Sequence, residues 1–424
     1  MLGIKKVGDG LYYYEAVDEK FKFNMFMLSF VVELKGKTAS KMAVLCSLLR
    51  QGSKKYFNNI DIGKKLRSLY GANFFCDVKK AGNKQIILFG IEVLDDEFAF
   101  EEQNLKNQAL EFLLDIIFNP KIEDGQFSEK DVLIEKKEVK QLLNATYSDK
   151  KEFALQQAFK SLFEGESFAV GAYGDFESLK KVDGKNLVES YNNIILNANV
   201  LISFCLRKKE EKLLDLVLAK FDGLKRNVLE IVNRKYYFSA VKEKQEQDLL
   251  NQAKVVVVFA KLKNIEKHDE FEDEAAIYVF NCLFGGSATS LLFNNVREKL
   301  SLCYYCKSSY DDFLGVVVVE SGVETKKILE FYSAMLEQFN ALRKGMFSNE
   351  ELKNAKYLLE AAYRKTLDVQ SKILLYQLNC FLKKEKVSVE NVIEKIKSVN
   401  KQDVMRAAQN FAVSLKYVLK EKEV

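Results

Sequence analysis

Hydrophobic positions along the chain fall into two matching series. Apolar runs from Phe26 to Leu34 and from Lys254 to Leu262 read as buried strands. Each precedes a mixed helical and turn segment, then a second apolar strand, Gln85 to Val93 in one case and Gly315 to Val319 in the other. Each series continues into an amphipathic helix carrying Leu-Glu-Phe, at Leu110-Glu111-Phe112 and Leu329-Glu330-Phe331. Offsetting the chain by 234 residues aligns Leu49, Gly52, Ser53, Lys65, Leu66 and Tyr70 with Leu283, Gly286, Ser287, Lys299, Leu300 and Tyr304. Chance would give roughly one or two identities in such a window. The pattern predicts an α+β protein of two related domains, each a largely antiparallel sheet with helices packed on it. The expected boundaries are 1–228 and 253–424, with a polar linker at 229–252.

Two helices of the first half matter most. Lys41 to Gln51 carries apolar stripes of Met42, Leu45, Leu49 and of Val44, Leu48. A different face holds Ala43, Cys46, Ser47 and Arg50, spaced i, i+3, i+4 and i+7. The second helix follows Asn119-Pro120, with Ser128 as its cap. Val132, Val139, Leu142 and Leu143 are its expected buried stripe. Glu129, Lys130, Glu135, Lys136, Lys137 and Glu138 are its expected solvated face.

Composition narrows the function. Sixty-five Lys and Arg against sixty Asp and Glu leave a net charge of +5 on 424 residues, too weak to imply nucleic acid or an anionic membrane as partner. The one proline excludes proline-rich linkers. The only histidine, His268, rules out any zinc site that needs two histidines one helical turn apart. The seven cysteines are irregularly spaced and odd in number, which argues against a disulfide framework. Cys303 and Cys306 form a lone CxxC in a strand-like run, which would send the two side chains to opposite faces. No apolar run approaches the ~18 residues of a membrane span, and Met1 to Tyr14 lacks the order of a signal peptide. The expected location is the cytoplasm. Gly285-Gly286 lacks the tail of a phosphate loop and reads as a tight turn.

The second series reads Leu283-Phe284-Gly285-Gly286-Ser287, then Leu292-Phe293-Asn294-Asn295-Val296-Arg297-Glu298-Lys299 and, after Leu300-Ser301-Leu302-Cys303, Tyr304. This resembles the second-domain signature of the M16 (insulinase or pitrilysin-like) zinc peptidases: a Gly-rich turn, Ser-x-Leu-Phe, Arg-Glu-Lys, and a Tyr seven residues after the Arg. The resemblance is to the branch with a single pair of domains per chain, which dimerises into a clam-like chamber. Within that branch the chain resembles the zinc-less member of a bacterial pair associated with elongation factor P modification.

The resemblance implies where a zinc motif would lie. Anchored on Gly52-Ser53, the family's His-x-x-Glu-His falls on Ala43 to Ser47. Ala43 and Ser47 take the ligand positions, and Cys46 takes that of the general base. The third ligand position falls on Leu142, with Glu135 and Glu138 close enough that a slip of a turn would reach them. Zinc needs three or four N, S or O donors at ~2.0–2.3 Å, and this set does not supply them. The chain is therefore expected to bind no zinc and to be inactive alone. The resemblance further implies that Arg297 and Tyr304 act in trans on the zinc site of an M16 paralogue, binding a peptide or small unfolded substrate. A purely structural or peptide-binding homologue is the alternative, and the isolated chain could form a homodimer. A third reading is a cysteine hydrolase using Cys46 and His268. Gly71 to Phe75 resembles the family's substrate-pairing edge strand and equally suits an ordinary turn-to-strand junction.

Overall fold

A strand buried on both faces needs an uninterrupted apolar run, and Phe23–Glu33 is one: all its residues but the first and last are buried. It lies at the heart of one of two sheets in the computed structural model, which describes residues 3–100, 104–228, 230, 232–263 and 270–422. The first sheet contains β1 (Lys5–Gly8), β2 (Leu11–Val17), β3 (Phe23–Glu33), β4 (Asn73–Ala81), β5 (Lys84–Leu94) and, beyond a two-residue hairpin of β6 (Ile122–Glu123) and β7 (Gln126–Phe127), β8 (Asn199–Leu206). Its order is β1-β2-β8-β3-β5-β4. The second contains β9 (Lys242–Asp248), β10 (Ala253–Lys261), β11 (Cys303–Asp311), β12 (Val316–Val323) and β13 (Phe411–Glu421), in the order β11-β12-β10-β13-β9.

The two orders are the same topology. β4-β5-β3-β8-β2 corresponds to β11-β12-β10-β13-β9, antiparallel throughout except for the last pair, which is parallel in both sheets. The fold is α+β with antiparallel-rich sheets.

The helices are α1 (Gly36–Arg50), α2 (Asn59–Ser68), α3 (Leu105–Phe118), α4 (Glu129–Ser148), α5 (Lys150–Leu162), α6 (Phe176–Lys180), α7 (Gly184–Asn197), α8 (Lys212–Leu218), α9 (Glu270–Asn281), α10 (Ile328–Arg343), α11 (Asn349–Arg364), α12 (Gln370–Lys383), α13 (Val389–Ser398) and α14 (Lys401–Gln409). Their contacts sort the chain into two units. One is Met1–Asn144, Val170–Val232 and Asp368–Lys386; the other is Ala145–Ala169, Asn233–Leu367 and Val387–Val424. In the first unit α1, α3 and α7 pack on the sheet, and α12, from late in the chain, packs on β8 and β3. Gln370 of α12 donates to the Phe23 carbonyl at 2.9 Å and the Cys205 carbonyl at 3.0 Å.

In the second unit the same service comes from α5, from early in the chain. Ala154, Ala158 and Leu162 join Val256, Val258, Ala260, Leu415 and Tyr417 in one apolar cluster. On the other face of β10 the Phe259 ring lies 4.6 Å from Phe339 and 5.8 Å from Phe284, separations that favour aromatic pairs.

The polar stretch expected to be linker is not all connection, because Lys242–Asp248 is β9, running parallel to β13. It is an edge strand exposed on both faces along most of its length, so its sequence shows no alternation.

Candidate functional site

The motif helix α1 is fixed at its start by Ser40. The Ser40 hydroxyl lies 3.0 Å from the Tyr173 carbonyl oxygen and 2.7 Å from the Ser178 hydroxyl. A Cβ at Gly174, whose φ is +74°, would meet Ser40 Oγ at 2.2 Å, so this close approach requires glycine. At the other end of α1, Gly52-Ser53 forms the turn. Ser53 is fully buried, donates to Asp115 and accepts from the Lys55 and Tyr56 amides.

Along α1, Ala43 and Cys46 are buried, and Ser47 is half-buried. The Cys46 sulfur lies 2.7 Å from that of Cys76 on β4. One turn on, Arg50 forms an ion pair with Glu138 of α4. Glu135, one turn before Glu138, is only 2% exposed. Burial pushes its carboxyl up to about 7, with Glu138 adding to the effect and Arg50 and Gln51 opposing it. Its Oε2 meets no hydrogen-bond partner among the described residues.

This corrects the expected faces of α4. Its buried residues are Val132, Glu135 and Val139, while Leu142 is 38% exposed. The guanidinium at the end of α1 gives the acidic face of α4 a reason to turn inward. The i, i+3, i+4, i+7 face of α1 already marked Arg50 as a neighbour of the motif positions. Nothing in the sequence marked Cys76, which is 30 residues from Cys46 and reaches it through the sheet.

In the second unit α9 runs into a wider coil at Cys282–Gly286, and another such coil spans Leu292–Lys299. The i−5 bond from the Leu300 amide to the Asn295 carbonyl, at 3.1 Å, closes it. Asn281 ties this region to β11: the Ser308 hydroxyl donates to its Oδ1 at 2.7 Å. Arg297 lies over the Phe293 ring at 4.7 Å, with its Nε 3.6 Å from Glu298. Tyr304 is 57% exposed at the start of β11.

A bulge between Cys303 and Tyr305 shifts the ladder there. The extra residue cancels the alternation expected for the CxxC, so Cys303 and Cys306 are both buried on one face and hydrogen-bonded to each other. That bond, with Ser321 and the Arg297 guanidinium, holds the Cys303 thiol below its usual range. The register also alters one repeat assignment. Tyr70, with φ of 57°, lies in the turn before β4, whereas Tyr304 belongs to a strand. Tyr305, the residue just after the bulge, is matched instead by Phe75, each opposite a glycine, Gly322 or Gly90. His268 lies outside the described residues.

Residues 181–359 match the family described as the Peptidase M16 inactive domain. A probable inactive metalloprotease of Bacillus subtilis, YmfF, is 26% identical over 99% of this chain and 98% of its own length. Part of this chain, residues 181–359, is thus similar to the M16 inactive domain. A second Bacillus subtilis relative, described as an uncharacterized zinc protease, YmxG, is 23% identical over 76% of this chain and 75% of its own. Among solved structures, a conserved protein from Enterococcus faecalis superposes with a TM-score of 0.89 at 25% identity, covering 97% of both chains. An M16 inactive domain from Pseudomonas fluorescens gives 0.76 at 14% identity, over 98% of this chain and 96% of its own, a likeness of fold.

For a chain similar to the M16 inactive domain the metal is the first question. No group of three or more His, Cys, Asp or Glu side chains suited to a metal ion occurs among the described residues. Ala43 and Leu142 offer no donor atom, Cys46 is engaged by Cys76, and the nearby carboxylate of Glu138 is engaged by Arg50. The motif pocket of this chain does not fit zinc. No helix among the described residues is long and apolar enough to cross a membrane.

Proposed function

We propose that this chain is the non-catalytic member of a two-chain M16 peptidase. It would enclose a peptide or small unfolded substrate together with a zinc-bearing paralogue and present Arg297 and Tyr304 to that paralogue's site. The observation that carries this reading is an asymmetry within one chain. The motif helix has no donor set for a metal, while Tyr304 extends its phenol into solvent with Arg297 on the preceding coil. In this reading the phenol donates a hydrogen bond to the scissile carbonyl oxygen as charge develops there, and the guanidinium holds the substrate backbone. Relatives described as an inactive metalloprotease and as a zinc protease occur in one organism, which supports a pairing of the two kinds.

The test is co-expression with M16 paralogues of the same genome that carry His-x-x-Glu-His, followed by peptidase assays on the purified complex. Loss of activity in Arg297→Ala and Tyr304→Phe is the expected result, and unchanged rates would sink the reading. The alternative, a purely structural or peptide-binding homologue, is favoured by the partners Arg297 already has in its own chain, Phe293 and Glu298. A stable complex that contains no peptidase would favour it.

A further inference from the structure

The two thiols that meet beside the motif helix play no part in that reading. Cys46 projects from α1 and Cys76 from the edge strand β4, and 2.7 Å separates their sulfurs. Carbon atoms pack best at ~3.5–4.0 Å, and sulfur is the larger atom, while a disulfide bond measures ~2.05 Å. The pair is nearer to bonding than to ordinary contact.

Both backbones are held in place independently. Ser40 anchors α1 to the 173–178 turn, and β4 is laddered to β5, with Cys76 opposite Phe89. Arg50, one turn beyond Cys46, interacts electrostatically with both sulfurs. Cys46 is 4% exposed, which excludes bulky oxidants and leaves room only for a small one.

We propose that Cys46 and Cys76 are a peroxide-oxidisable dithiol, closing to a disulfide that staples the motif helix to the edge strand. The Cys46 thiol gives up its proton as its sulfur attacks one oxygen of hydrogen peroxide. An S–O bond forms, the O–O bond breaks, and the departing hydroxide takes up a proton to become water. The Cys76 sulfur then attacks the Cys46 sulfur. The S–S bond forms, the S–O bond breaks, and the leaving hydroxide accepts the Cys76 proton as a second water. Burial pushes the Cys76 thiol up, with the Cys46 hydrogen bond adding to it, so Cys76 keeps its proton until the second step, when that proton leaves with the hydroxide. The site stands whether or not the chain has a partner.

The test uses the full chain, reduced with dithiothreitol, desalted and treated with hydrogen peroxide. Alkylation under denaturing conditions and peptide mapping then locate the bonds. The expected product is a cross-linked pair of peptides carrying Cys46 and Cys76, reopened by dithiothreitol. The oxidised chain should melt roughly 5–10 °C above the reduced one, and Cys46→Ser and Cys76→Ser should each lack that shift. The proposal is overturned if both thiols are still alkylated after peroxide. It is equally overturned if Cys46 is carried to a sulfinic acid without cross-linking, or if Cys303 and Cys306 link while Cys46 and Cys76 stay free.

Discussion

The edge strands β4 and β11 occupy the same place in their two sheets, yet what they border differs. Beside β4 the chemistry has turned inward: Cys76 meets Cys46, Arg50 meets Glu138, and Glu135 is buried. Beside β11 it faces outward, with Tyr304 exposed and Arg297 half-exposed on a widened coil. A shared feature of framework makes the contrast legible. In each unit an aromatic ring on the edge strand lies over a glycine of the neighbouring strand, Phe75 over Gly90 and Tyr305 over Gly322. The architecture was kept in both halves while the polar groups on it went different ways. One sheet edge borders buried polar groups, and the other bears an exposed phenol.

The largest effect expected from breaking this comparison is on the outward side. In the complex with a zinc-bearing paralogue, Tyr304→Phe should lower the peptidase rate by about 10²–10³, the usual cost of losing one oxyanion donor. Tyr70→Phe, at the position matched by the 234-residue offset but placed in a turn, should leave it unchanged. Steady-state kinetics on the two complexes decide this.

The shared framework comes next. A Cβ at Gly90 would meet the Phe75 ring at 2.2 Å, and one at Gly322 would meet the Tyr305 ring at 2.6 Å. Gly90→Ala and Gly322→Ala should each destabilise by about 1–3 kcal/mol through overpacking, measured by denaturant unfolding. Equal losses would show that the two edges are built alike.

Glu135 gives a smaller, pH-dependent effect on the inward side. Its folded carboxyl keeps its proton up to about 7, well above the ordinary 4.5. Between those values the unfolded chain binds fewer protons than the folded one, so stability falls as the pH rises through that window. Glu135→Gln should be nearly neutral at pH 4 and should stabilise by about 1–2 kcal/mol at pH 8, read from melting curves across the range. A gain that does not depend on pH would show that the carboxyl is not the cause.

Arg50→Met should have the smallest effect, about 0.5 kcal/mol, because its partner Glu138 is partly solvated. It should also steepen the pH dependence caused by Glu135, whose remaining acidic neighbour would then be unopposed.

The repeat was readable because strands buried on both faces leave long apolar runs, and β3 and β10 did so. The matched Gly52-Ser53 and Gly286-Ser287 pairs stand out because a Cβ at either glycine would come within 2.5 or 2.9 Å of a backbone oxygen. Glu135 was misread because periodicity reports what apolar residues do, and a carboxyl buried opposite an arginine looks like any surface acid. The CxxC was misread because one bulge reverses the alternation on which the reading depended. The origin of α5 and α12 was invisible for a different reason: an amphipathic helix announces that it will be covered and not by which sheet.

That crossing of helices sets the order in which the molecule can mature. A nascent chain ordinarily completes its N-terminal domain first. Here the Phe23 and Cys205 carbonyls wait for Gln370, a residue translated only after most of the other unit exists. Neither unit is one continuous stretch of chain, so no single cut in the gene would separate them.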